Sequence, residues 1–226
     1  MAPPGQYTIN FSATNTLRHE TITRSIPVDT RVALPPSGRK YALWTESSMT
    51  RVMPVDLPWA ANPQTLLNLS AARNEYESGQ IVVKPGAGIR LTNVRVSLPD
   101  LIGPNGALIR AGNNLTWHQV GYVKVKQQEP QLSYLKSWEQ IPRSGLLPYA
   151  PTWWPDPLLP VGHFDVEPSW SQPIWITVHV PEGTPPGKYT GNVTISADGN
   201  PDAVVPLSLH VNGFTVPVQG HLKTSF

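Results

Sequence analysis

Apolar and polar residues alternate with a period of two along much of the chain, most regularly near its C-terminal end. Ile174, Ile176, Val178 and Val180 alternate with Trp175, Thr177 and His179, which puts one set of side chains on a buried sheet face and the other set opposite. Pro181 ends this strand, and Thr184-Pro-Pro-Gly187 supplies two residues of fixed φ and one free to take positive φ, as a turn requires. Tyr189, Gly191, Val193 and Ile195 then alternate with polar residues, so residues 172–196 read as a hairpin or as a corner between sheets. A third run, Val205, Leu207, Leu209 and Val211, makes the C-terminal third a β meander. Its parity slips at Asn212-Gly213, after which Phe214 and Val216 carry the apolar pattern, as a bulge or a strand changing sheets would require.

Upstream, Tyr41-Ala-Leu-Trp-Thr45 alternates, with Trp44 expected in the core. Residues 67–83 read as an apolar strand, a charged turn and a fully apolar strand, and Val94, Val96 and Leu98 mark another. In residues 117–126, Val123 and Val125 point inward if Tyr122, Lys124 and Lys126 face solvent. Residues 1–38 are polar and Thr-rich with short strand-like pieces, an N-terminal extension or extra strands. Residues 127–171 carry Trp138, Trp153, Trp154 and Trp170 and no sustained period. A stretch of that length inside a compact domain is functional or packed against something else. Tyr189, just after its turn, resembles the tyrosine corner of immunoglobulin-like sandwiches. The expected fold is therefore all-β, an antiparallel immunoglobulin-like β-sandwich over residues 39–217 with a long irregular Trp/Pro-rich insertion.

Composition narrows the function. With 26 prolines and 17 glycines in 226 residues, close to a fifth of the chain, and no lasting 3.6-residue period, long helices are not expected. The 17 basic and 15 acidic groups are scattered without runs, so the electrostatic footprint of a nucleic-acid binder is missing. No apolar stretch approaches a membrane span, and the N-terminal MAPPGQYT lacks the apolar core of a signal peptide. Zero cysteines exclude disulfides, thiolate zinc sites and cysteine nucleophiles.

Several segments, taken in order, resemble the N-terminal β-sandwich that precedes the catalytic barrel in proteins similar to glycoside hydrolase family 123. They are Leu43-Trp44 with Arg51-Val-Met-Pro54, Ala71-Ala-Arg-Asn-Glu-Tyr-Glu-Ser78 with Gln80, Trp154-Pro-Asp-Pro-Leu-Leu-Pro160, Gln172-Pro-Ile-Trp-Ile-Thr-Val178, Pro185-Pro-Gly-Lys-Tyr-Thr-Gly191 and His221-Leu-Lys-Thr-Ser-Phe226. The resemblance implies that residues 218–226 lead into the first strand of a (β/α)₈ barrel, so the chain is expected to be the accessory half of a larger, extracellular or envelope-associated enzyme. It also implies hydrolysis of an N-acetylhexosamine glycoside assisted by the substrate's acetamido group, with an adjacent Asp-Glu pair in the barrel. No Asp-Glu or Glu-Asp dipeptide occurs in the chain, so no catalytic residue is carried over and the chain by itself is not expected to be an enzyme. The alternative is a structural or adhesive extracellular sandwich without an enzymatic partner.

Candidate chemistry is sparse. Arg73, Glu75 and Glu77 read as a surface turn whose ions pair with each other or with backbone amides. His163, Asp165 and Glu167 have a metal-like spacing, but Pro160, Gly162 and Pro168 argue for a loop, and neither a metal nor a cofactor is expected. Of the eight tryptophans, Trp44, Trp117 and Trp175 lie in strand patterns and read as core. Trp138, Trp153, Trp154 and Trp170, with Asp156, are the candidates for docking on the barrel of the same polypeptide or for holding glycan.

Overall fold

The computed structural model describes residues 6–15, 20–29, 34–35, 38–57, 65–125 and 152–218. In chain order the strands are β1 (Gln6–Asn15), β2 (Glu20–Asp29), β3 (Tyr41–Ser47), β4 (Leu67–Arg73), β5 (Glu75–Pro85), β6 (Leu91–Ser97), β7 (Leu101–Ile102), β8 (Leu108–Ile109), β9 (Leu115–Val125), β10 (Thr152–Leu159), β11 (Phe164–Val166), β12 (Gln172–Val180), β13 (Gly187–Ser196) and β14 (Ala203–Thr215). Among the described residues one turn of 3₁₀ helix, Pro104–Gly106, is the only helical element.

The domain is a β-sandwich. One sheet has the order β10-β9-β12-β5-β3, all antiparallel, and the other runs β11-β6-β13-β14-β4 with β7 and β8 attached at β13. The β14–β4 pair is parallel. Alternation decides which residues meet between the sheets: Ile174, Ile176, Val178 and Val180 of β12 and Ile81 and Val83 of β5 face Val193, Ile195, Leu207 and Leu209, all within 1% of full burial. Within residues 1–38, read as an extension or extra strands, β1 and β2 pair antiparallel as a separate two-stranded sheet.

Of the connections that carry the chain from one sheet to the other, two are built by residues that the sequence singles out. Because β12 and β13 lie in different sheets, residues 172–196 form a corner and not a hairpin, while β13 and β14 do pair as the meander reading expects. At this corner the buried Tyr189 donates its hydroxyl to the Pro185 carbonyl at 2.9 Å. Gly103 packs against the same ring so closely that a Cβ there would collide with it. The second corner is the charged turn after β4. Asn74 sits at φ 61, donates its backbone N–H to Val180 O and its side-chain amide to Val216 O, and so starts β5 in the opposite sheet from β4. The parity slip near Asn212 is a break in the β14–β4 register between Val211 and Thr215, although Phe214 beyond it is 62% exposed.

Three inward assignments change. Trp44 is buried, but with Val52 and Val82 in a separate small cluster on the outer face of the five-stranded sheet. Trp175 alternates with the core residues of β12, so it too faces outward, while Trp117 packs against the main core beside Phe164. Val123 is exposed and Tyr122 is tucked in, the reverse of the expected burial, because the Tyr122 hydroxyl reaches backbone carbonyls on the segment that covers the outer face.

Candidate functional site

The outer face of the five-stranded sheet is where polar chemistry is buried. On β5 the outward residues Gln80, Val82 and Lys84 are covered by the segment that follows β3 and by residues 169–171. Gln80 donates its side-chain amide to the Ser47 and Thr50 carbonyls, each at 2.8 Å. Lys84 Nζ donates to Ser169 O at 2.6 Å and to Ser171 Oγ at 2.9 Å. Ser171 passes the connection on, its hydroxyl donating to Asp56 O at 2.6 Å and its N–H to Pro54 O at 2.7 Å. The Tyr122 hydroxyl is shared between Ser171 O at 2.7 Å and Val52 O at 2.9 Å.

Burial sets the electrostatics here. Desolvation pulls Lys84 down to about 8, opposed by the charge of Asp56. Desolvation raises the Asp56 carboxyl, against the Met53 N–H bonded to it at 2.7 Å and the charge of Lys84. Tyr122 is raised by burial and then by Asp56, so it remains a donor across the working pH range. A cavity of about 440 Å³ opens beside this network, lined by Trp44, Glu46, Thr50, Val52, Asp56 and Leu57. The network ties a loop to a sheet: the Ser171 hydroxyl and the Lys84 amine, 2.9 Å apart, are 0 and 3% exposed, and the hydroxyl proton is given to Asp56 O.

Trp153, Trp154 and Trp170 lie at one margin of this face. Residues 152–159, expected to lack regular structure, form the edge strand β10, paired with β9 through a bulge between Pro155 and Leu158. Pro155 and Pro157 erase the apolar period and are compatible with a strand only at an edge, where their missing N–H groups leave no ladder bond unmade. Trp153 is 37% exposed, meets Trp170 edge to face at 5.4 Å and lies under Lys124 Nζ at 5.8 Å. Trp154 is half-buried with the Arg51 guanidinium 5.0 Å from its ring. Trp170 in turn meets Tyr122 edge to face at 5.7 Å. Asp156 is exposed at the bulge. Trp138 lies outside the described residues. The structure thus joins Trp153, Trp170 and Tyr122 in one aromatic chain that runs into the Lys84 network, and places Trp154 on Arg51.

The charged constellations are engaged internally, although Arg73 Nε is buried without a hydrogen-bond partner among the described residues. Glu75 accepts the Ala72 N–H at 2.6 Å, Glu77 that of Ser78 at 2.8 Å, and Arg73 donates to Gly213 O at 2.8 Å. Asp165 and Glu167 do share a face of β11 and its continuation, and both pair with Arg90, at 3.1 and 3.3 Å. Among the described residues no group of three His, Asp or Glu side chains is placed to hold a metal ion. Lys84 was legible only as a polar interruption at the end of the apolar run Ile81-Val-Val83, a run that signals a strand covered on both faces.

A family profile described as the glycoside hydrolase 123 N-terminal domain matches residues 56–197. None of the curated proteins matches the chain. Among solved structures, a family 123 glycoside hydrolase from Clostridium perfringens, studied for glycolipid glycan hydrolysis, superposes with a TM-score of 0.60 at 18% identity, over 79% of this chain and 28% of that one. The chain therefore spans little more than a quarter of that enzyme's length. A PapD-like domain of human CEP192 aligns over 80% of this chain and 90% of its own, at 12% identity and a TM-score of 0.37.

Proposed function

Because the chain belongs to the family of glycoside hydrolase 123 N-terminal domains, we propose that it is a non-catalytic module that packs on the catalytic barrel of the same polypeptide and helps that enzyme handle glycan. The observation that carries this reading is the β10 edge. Trp153, Leu158 and Leu159 stay 37 to 44% exposed on a strand stiffened by prolines, with Arg51 and Lys124 beside the Trp154 and Trp153 rings. An apolar edge of this kind loses little chain entropy on docking and gains a covered margin for the sheet. The cations supply a polar rim, and Asp156 stands ready for a basic side chain on the partner.

The decisive experiment compares the Trp153→Ala, Trp154→Ala double variant in a polypeptide carrying both domains with the same variant of the isolated chain. Docking predicts a lower unfolding midpoint in the two-domain protein, better solubility of the isolated domain and no hydrolysis of aryl N-acetylhexosaminides by the isolated domain. If two-domain stability is untouched and retention on an immobilised glycan is lost instead, those tryptophans are a sugar platform and the docking reading fails.

A further inference from the structure

At the opposite end of the same outer face, the sheet is open. Cross-strand pairing sets Tyr76 beside His179, Ser78 beside Thr177 and Gln80 beside Trp175, while β9 adds Thr116 beside Thr177. Tyr76 is 71% exposed, with one ring face stacked on His179 at 4.4 Å and 24° between planes. The Asn114 side-chain amide lies 3.3 Å from His179 Nδ1. With that amide as donor, Nδ1 is the acceptor and Nε2 carries the proton, a tautomer assigned from this bond. Ser78 Oγ and Thr177 Oγ1 are 3.1 Å apart and half-exposed.

We propose that this strip, from Tyr76 and His179 past Ser78 and Thr177 to Trp175, binds a neutral oligosaccharide lying along the β5–β12 pair. Its chemistry selects that class of ligand. A ring with one free face stacks on the C–H face of a pyranose, and hydroxyls, an amide and an imidazole N–H exchange hydrogen bonds with sugar hydroxyls. The three rows carry no charged side chain on β5, β12 or β9, and Glu46, across from Gln80 on β3, is already engaged by Trp44 Nε1 at 3.2 Å. An acidic polymer or a nucleic acid would need the basic groups that this strip lacks. A stable protein partner would need an apolar centre, where the strip instead offers a pair of hydroxyls. His179 and Trp175 lie four residues apart on one strand, about 13 Å, so the site spans more than one sugar ring.

This surface is separate from the β10 edge, and its fate does not depend on the docking reading. The test is affinity electrophoresis of the 226-residue chain through gels containing glycol chitin, galactomannan or xyloglucan, with polygalacturonate as the charged control. At least one neutral polymer should retard the chain and polygalacturonate should not. Tyr76→Ala should weaken the retarding interaction about tenfold, the scale of one lost ring stack, and Phe214→Ala, an exposed aromatic on β14 of the other sheet, should leave it unchanged. No retardation by any neutral polymer, or equal retardation of Tyr76→Ala and the unsubstituted chain, overturns the proposal. So does a Tyr76→Ala variant that leaves glycan retention untouched and destabilises the two-domain protein, because the strip is then a protein contact.

Discussion

Along β5 the outward side chains run Tyr76, Ser78, Gln80, Val82, Lys84, and solvent stops halfway: Tyr76 is 71% exposed, while Gln80, Val82 and Lys84 are 2, 0 and 3% exposed. The strand, its pairing with β12 and its alternation are the same at both ends. What differs is the cover. One half lies beneath the segment running from Ser47 to Asp56 and beneath Ser169 to Ser171, and its polar groups, Gln80 and Lys84, are engaged by backbone carbonyls and the Ser171 hydroxyl of that cover. The other half keeps its hydroxyls, amide and rings within reach of solvent. One sheet thus carries a second, small core and an open recognition surface side by side, and the boundary between them is drawn by loops and not by the strands.

The sharpest way to break this comparison is to remove the centre of the covered half. Trp44 is 2% exposed and forms a cluster with Val52 and Val82 that is separate from the main core. Trp44→Ala should cost about 3–5 kcal/mol in urea unfolding, as for a tryptophan in a main core. A cost near that of a surface substitution would mean that the covering segment is held by its hydrogen bonds alone and that no second core exists.

The next effect is smaller and is set by pH. Burial pulls Lys84 from 10.5 to about 8, so between those values the unfolded chain binds a proton that the folded chain lacks. Stability contributed by this group therefore rises as pH increases from about 8 toward 10.5, where the cost of burying the charge disappears. Compared with Lys84→Met, the unsubstituted protein should gain about 2 kcal/mol between pH 8 and pH 10, read as the difference between two unfolding curves at each pH. Taking the difference cancels the tyrosines, which titrate in the same range. A flat difference would show that Lys84 is solvated and that the cover is open in solution.

The two halves also explain which features could be read in advance. Inward positions on β12, β13 and β14 were legible because each is apolar on one parity and polar on the other, as in Val205, Leu207 and Leu209. The face of Trp44 was not: the alternation assigned to Tyr41-Ala-Leu-Trp-Thr45 does not decide it, since its first four residues are apolar on both parities. Tyr122 and Val123 misled for a related reason. Hydropathy favours burying valine, but the Tyr122 hydroxyl has its two carbonyl acceptors only under the covering segment, a tertiary fact. The choice between hairpin and corner at residues 181–187 depended on which sheet each strand joins, which no local period encodes. Trp153, Trp154 and Asp156 stood out by composition, yet the prolines that made their stretch look irregular belong to an edge strand.

The smallest expected effect belongs to the open half, and its smallness is the point. Tyr76 lends one ring face to His179 and leaves the rest of its surface in water, and neither ring belongs to a buried apolar cluster. Tyr76→Ala should therefore change the stability of the chain by no more than about 0.5 kcal/mol, the range of surface substitutions. Backbone geometry at this site is held independently by the β5–β12 ladder and by the His179 N–H bonded to Asn114 O at 2.7 Å, so removing the ring leaves the strip in place. A loss of 2 kcal/mol or more in thermal or urea unfolding would mean that the tyrosine is part of a packed layer. The outer face would then be covered along its whole length, and the division between its two halves would disappear.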